Sequence, residues 1–171
     1  MTIIICPGIH SPELTEQFIS EIQHKITAEL LILPTEIYPP YSAIAVYQWL
    51  IKQNLLLTEP LSFISFSAGV VGSFGAAWAW QLQGGKIHSF IAVDGWGMPL
   101  FANFPIYRVS HDRFTHCSSA ILGGRQGFYA DPEVEHLEIW QSPNIPGWQE
   151  ISLGCKTRTT LINYLTAILN T

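Results

Sequence analysis

Charge is the scarcest property of this sequence. Asp, Glu, Lys and Arg together make up 12% of its 171 residues, about half the share usual in a globular domain. Eight Lys and Arg stand against 13 Asp and Glu, for a net charge of −5, and the basic residues form no cluster. Such a balance offers nothing to a phosphate backbone, so nucleic acid is excluded as a partner. Cysteine is sparse as well. Cys6, Cys117 and Cys155 are odd in number and far apart, a pattern that fits neither a C-x-x-C zinc pair nor a secreted disulfide framework. Long apolar runs are missing too. The longest, Ala68 to Trp80, is interrupted by glycine and serine and is too short to span a bilayer. The opening "MTIIICPGIH" has no basic segment ahead of its three isoleucines. A buried strand is expected there instead of a signal peptide, and a cytoplasmic location with it.

Apolar residues fill the space that charge leaves, at 48% of the chain. A single domain over residues 1–171 is expected, large enough to bury a core without staples. The weakly charged surface leaves a homo-oligomer open. Short β-rich runs alternate with helical patterns throughout. "TIIIC" is a strand ending at Pro7-Gly8, and Ser11-Pro12-Glu13 opens a helix with Leu14, Phe18, Ile22 and Ile26 on one face. "ELLILP" is a second strand. A helix over 42–54 follows, with Ile44, Tyr47, Leu50 and Ile51 as its expected buried stripe. "LSFISF", "IHSFIAVD", "PIYRVSHD" and "QGFYAD" are further strands, the first followed by a glycine-rich helix from Ala68 to Leu82. "KTRTTLINYLTAILN" reads as a closing helix. This alternation predicts an α/β fold: a doubly wound, mostly parallel sheet of about six strands with helices on both faces. Ligand sites in such sheets lie beyond the carboxyl ends of the strands. His10, Ser67, Asp94, His111, Asp112, His116 and His136 collect at those ends.

Ser65-Phe66-Ser67-Ala68-Gly69 fits the nucleophile-elbow pattern G-x-S-x-G, with serine in the first glycine position. In such an elbow the nucleophile sits on a strained strand-to-helix turn. The residues two before and two after it crowd the backbone and must be small. Gly69, Gly72 and Gly75 recur every three residues in the helix that follows. Each costs about 1 kcal/mol relative to alanine, which suits a helix lying very close to its sheet. Ser67 could equally serve as a small residue capping that helix.

The elbow and the strand order resemble the α/β-hydrolase family, in particular its small lid-less lipases and esterases. "ICPGIHS" resembles the oxyanion-loop strand of those enzymes, "VSHDRFTHCSSAIL" the loop that carries their acid, and "VEHLEIWQSP" the segment that carries their histidine. The resemblance implies Ser67 as nucleophile, Asp112 as acid and His136 as base, in the family's order Ser, acid, His. It also implies oxyanion donors from Ala68 and from Ile9 or His10. Asp94 is the alternative acid, since some hydrolases take theirs from that earlier strand end. His116, and after it His111, are the alternative bases, because "HLEIW" could itself form the last strand. Trp96, Met98 and Phe101, in "GWGMPLFANFP", are expected to line an apolar acyl pocket. A serine hydrolase acting on a small-molecule ester or thioester is therefore expected, with no cofactor and no metal. Two other readings stand beside it. One is a hydrolase-fold scaffold without chemistry that binds a small molecule or protein. The other is a metal-dependent α/β protein using His111, Asp112, His116 and Cys117.

Overall fold

The computed structural model describes residues 1–124, 126–152 and 154–170. Its strands and helices follow the predicted alternation. In chain order they are β1 (Thr2–Cys6), α1 (Pro12–Ile22), β2 (Glu29–Ile32), α2 (Ala43–Ile51), β3 (Pro60–Phe66), α3 (Ala68–Leu82) and β4 (Lys86–Val93). There follow β5 (Ile106–Ser110), α4 (Arg113–Ala120), β6 (Gln126–Ala130), α5 (Glu138–Gln141), β7 (Pro146–Ser152), β8 (Cys155–Thr160) and α6 (Leu161–Leu169). The strands form one sheet in the order β2-β1-β3-β4-β5-β6-β7-β8. The first six are parallel, and β7 and β8 add antiparallel.

Alternation along the buried strands sorts the core into two layers. Ile3, Ile5, Ile64, Phe66, Ile91 and Val93 face α1, α5 and α6, while Ile4, Phe63, Phe90 and Ala92 face α2 and α3. The sheet is thus doubly wound. Its order reverses between β1 and β3, and the loops after those strands open beside each other at that switch point. Among the described residues no helix is long and apolar enough to cross a membrane.

Two expectations need correction, and one alternative falls away. The sheet has eight strands, not about six, because residues 146–152 add β7, which no predicted strand covers, and residues 155–160 form β8 instead of the start of the last helix. The run "TRTT" is rich in β-branched residues, which favour a strand. The helix begins only at Leu161, where the Thr160 side chain accepts from the Asn163 amide at 3.4 Å. In α2 the buried residues are Val46, Trp49 and Leu50, whereas Ile44 and Ile51 are 72% and 50% exposed. Close packing against α3 sets that rotation: a Cβ on Gly75 would lie 2.5 Å from the Ala43 Cβ. Finally, "HLEIW" holds the short helix α5, not a strand.

Candidate active site

Ser67 joins β3 to α3 with φ 51° and ψ −120°. A positive φ is uncommon outside glycine and costs on the order of 1–3 kcal/mol unless the surroundings impose it. Here they do. The Ser67 amide donates to the Val93 carbonyl at 2.9 Å, and its own carbonyl accepts from Val70 as the helix starts. The end of β1 presses on the same turn. A Cβ on Gly69 would stand 2.3 Å from the Cys6 carbonyl oxygen and 2.4 Å from that of Pro7, so only glycine fits. Ser65, where the elbow pattern has glycine, is fully buried and hydrogen-bonded to Ser73 at 2.7 Å. The buried Cys6 thiol lies against this serine pair, and its pKa is pushed up to about 12. Burial is the cause, only partly offset by hydrogen bonds with Ser65 and Ser73.

Asp94 ends β4, also at positive φ (49°), and its side chain is buried. Its Oδ1 accepts from the His111 backbone N–H at 2.9 Å, and its Oδ2 lies 2.8 Å from Nδ1 of His136. A carboxylate can only accept, so Nδ1 carries the proton and Nε2 presents its lone pair. That Nε2 is 3.1 Å from Ser67 Oγ. Hydroxyl, imidazole and carboxylate therefore stand in line, an arrangement through which a hydroxyl proton can pass to the ring as the oxygen attacks. Stacking holds the imidazole in place. Its ring lies 4.8 Å from Phe66, Phe66 lies 5.1 Å from Trp140, and Trp140 lies 4.0 Å from Phe18.

The other expected residues are distributed as follows. Asp112 does not reach His136. It caps α4 instead, its Oδ1 accepting from the Thr115 amide at 2.7 Å. Burial works against its ionised form, but the Thr115 hydrogen bonds together with the neighbouring His111 outweigh it and the carboxyl sits below its ordinary range. The carboxylate beside His136 is Asp94, because β4 and β5 end side by side and the left-handed turn at Asp94 aims its side chain into the site. His116 is buried in α4 with Nε2 3.1 Å from Glu150. Among the described residues it joins no cluster of possible metal ligands with His111, so the alternative metal reading through His111, Asp112, His116 and Cys117 has no support. His111 joins the site from another side, its Nδ1 2.8 Å from Asp94 Oδ2. Ala68 opens α3, and Gly8 packs on Ser67, where an added Cβ would come within 3.0 Å of the serine Cβ. Ile9 is exposed, while His10 turns its ring towards Phe66 and Trp140.

A cavity of about 560 Å³ opens over Ser67, Ala68, Asp94, His111 and His136. Trp96 and Met98 line it, but Phe101 lines a neighbouring cavity between Leu100 and Gly124. The loop turns back after Met98: the Leu100 amide donates to the Leu122 carbonyl, which carries Phe101 away. Val71 and Phe114 complete the apolar wall. Both escaped the sequence reading, since neither belongs to a motif. Arg108 escaped it too. Its guanidinium is buried and donates to the carbonyls of Met98, Leu122 and Gly123, pinning the wall loop; burial draws its pKa down to about 10.

No protein-family model matches the chain, and no curated protein does. A solved structure does match: YbtT, the type II thioesterase from the yersiniabactin NRPS/PKS biosynthetic pathway. The alignment covers 82% of this chain and 87% of that one, with a TM-score of 0.56 and 13% identity. Type II thioesterases are α/β-hydrolases. This chain has the α/β-hydrolase fold. At 13% identity the likeness is one of fold. Within an α/β-hydrolase fold, Ser67, Asp94 and His136 follow β3, β4 and β6 in the order serine, acid, histidine.

Proposed function

We propose that the protein is a serine hydrolase of the esterase or thioesterase kind, with residues 1–171 acting as one catalytic domain. Ser67 Oγ attacks the acyl carbonyl while His136 Nε2 takes its proton. The ring then returns that proton to the leaving alcohol or thiol, and water repeats the sequence on the acyl-enzyme. Asp94 keeps His136 in the Nδ1–H tautomer and stabilises the imidazolium that forms. The Ala68 amide at the start of α3, with that of Ile9 or His10 beside Gly8, receives the oxyanion. Val71, Trp96, Met98 and Phe114 make the acyl side of the pocket apolar.

The observation that carries this reading is the unbroken line from Ser67 Oγ through His136 to Asp94, at 3.1 and 2.8 Å. Labelling by a fluorophosphonate probe at neutral pH tests it. Wild type and Ser65→Ala are expected to label, and Ser67→Ala and His136→Ala are not. A folded wild type that never labels would favour a scaffold that only binds.

A further inference from the structure

Two imidazoles converge on one carboxylate oxygen in this site. His136 Nδ1 and His111 Nδ1 each lie 2.8 Å from Asp94 Oδ2. The relay to Ser67 uses only the first of them. Among the described residues, Asp94, His111 and His136 offer three ligand atoms within 4.8 Å of one another. Asp94 is held for this geometry by the His111 backbone N–H on its other oxygen, 2.9 Å away, which is how a carboxylate ligand is commonly oriented from behind. Both rings are partly exposed and line the open cavity, so an ion has a route in.

From this convergence we infer that Asp94, His111 and His136 form a binding site for a divalent transition-metal ion of the zinc type, and that its occupancy switches the hydrolase off. Two imidazole nitrogens and one carboxylate oxygen suit Zn²⁺, Co²⁺ or Ni²⁺, not Mg²⁺ or Ca²⁺. Tetrahedral ligands about 2.0–2.2 Å from zinc stand roughly 3.3 Å apart. To admit the ion the rings need to retreat from Oδ2 by about half an ångström, and the ligand atoms, which lie within 4.8 Å of one another, to draw in to that spacing. Water or substrate would take the fourth position.

The consequence for the hydroxyl follows from tautomerism. Coordination takes the Nδ1 lone pair, so each neutral ring carries its one proton on Nε2 instead. No proton is lost, but His136 Nε2 becomes an N–H and can no longer accept from Ser67. Metal and substrate chemistry thus compete for one imidazole. The inhibitory half of this inference rests on the proposed hydrolase mechanism; the binding half does not.

The test is zinc titration by calorimetry on the full chain carrying Cys117→Ser and Cys155→Ser, which removes the exposed thiols as adventitious ligands. One equivalent is expected, retained when Ser67→Ala is added. Asp94→Asn and His111→Gln, each checked for folding by circular dichroism, are expected to weaken it at least ten-fold. Co²⁺ should give absorption bands of a nitrogen and oxygen site without thiolate bands. Zinc is also expected to suppress probe labelling of Ser67 reversibly, with EDTA restoring it. No bound equivalent, or one that both variants leave intact, overturns the site. Labelling that persists in the zinc-loaded protein overturns the switch. A chain that binds zinc through these residues yet never labels at Ser67 upholds the site and defeats the hydrolase reading.

Discussion

His136 Nδ1 lies 2.8 Å from Asp94 Oδ2 across 42 positions of sequence, whereas Asp112 spends its carboxylate on the amide of Thr115. The two acids should therefore separate cleanly in mutants. Asp94→Asn is expected to lower kcat by about 10³–10⁴ on a chromogenic ester, as loss of the orienting carboxylate does in such relays. Asp112→Ala should keep its turnover and lose about 1 kcal/mol of stability, the usual cost of a missing N-cap. Kinetics with urea denaturation of both variants checks the pair. The reverse pattern would return the acid's role to Asp112.

The elbow tolerates no side chain at Gly69. Its Cβ would meet two backbone carbonyl oxygens at the end of β1, and backbone cannot swing aside. Gly69→Ala is expected to destabilise the fold by about 1–3 kcal/mol or more and to displace Ser67. Gly84→Ala meets nothing within 4 Å, and its cost is confined to the strain of a φ of +90°. Thermal unfolding of both, with probe labelling of whatever folds, separates crowding from strain.

Acyl-chain preference should follow the cavity wall. Replacing Trp96 or Phe114 by alanine is expected to raise KM for long-chain esters several-fold and leave acetyl esters nearly unchanged. Phe101→Ala should not alter the chain-length profile, because Phe101 faces the neighbouring cavity. A panel of p-nitrophenyl esters of increasing length decides it.

The thiols should divide by burial. Cys117 and Cys155 are exposed and Cys6 is buried. Two of the three are expected to react with a disulfide reagent in the native protein, and the third only after unfolding.

Cys6 also sets an alkaline limit. Its pKa is raised from 9.0 to about 12 in the fold, so above pH 9 the unfolded chain loses a proton that the folded chain keeps. Stability must then fall as pH rises from 9 towards 12, by roughly 1 kcal/mol per pH unit from this group. Burial raises the Tyr164 phenol as well, and it acts in the same direction. Urea denaturation at several alkaline pH values should show a shallower slope in Cys6→Ala. An unchanged slope would remove Cys6 as a cause.

Local chemistry made much of this protein legible. Three successive isoleucines before Pro7-Gly8, a serine, proline and glutamate opening α1, and the small residues around Ser67 each specify backbone over a few positions. Such information needs no distant partner. The last helix starts later than its sequence predicts because "TRTT" forms β8 only by pairing with β7, a long-range choice. The buried stripe of α2 departs from the predicted one because α3, and not α2's own pattern, decides which way that helix turns.

The choice between Asp94 and Asp112 was of the same kind. Both lie at the ends of adjacent strands, and nothing within ten residues of either says which will face His136. That depends on where the segment after β6 is pinned, by Trp140 on Phe66 and by the Val134 amide on the His111 carbonyl at 3.1 Å. The convergence of His111 and His136 on one oxygen of Asp94 has the same origin. The elbow, the strand alternation and the set of polar residues at the strand ends are local matters of propensity and steric size, and are legible in the residues themselves. Which of those residues touch is not, because side-chain partnership across a sheet is set by strand order and loop packing.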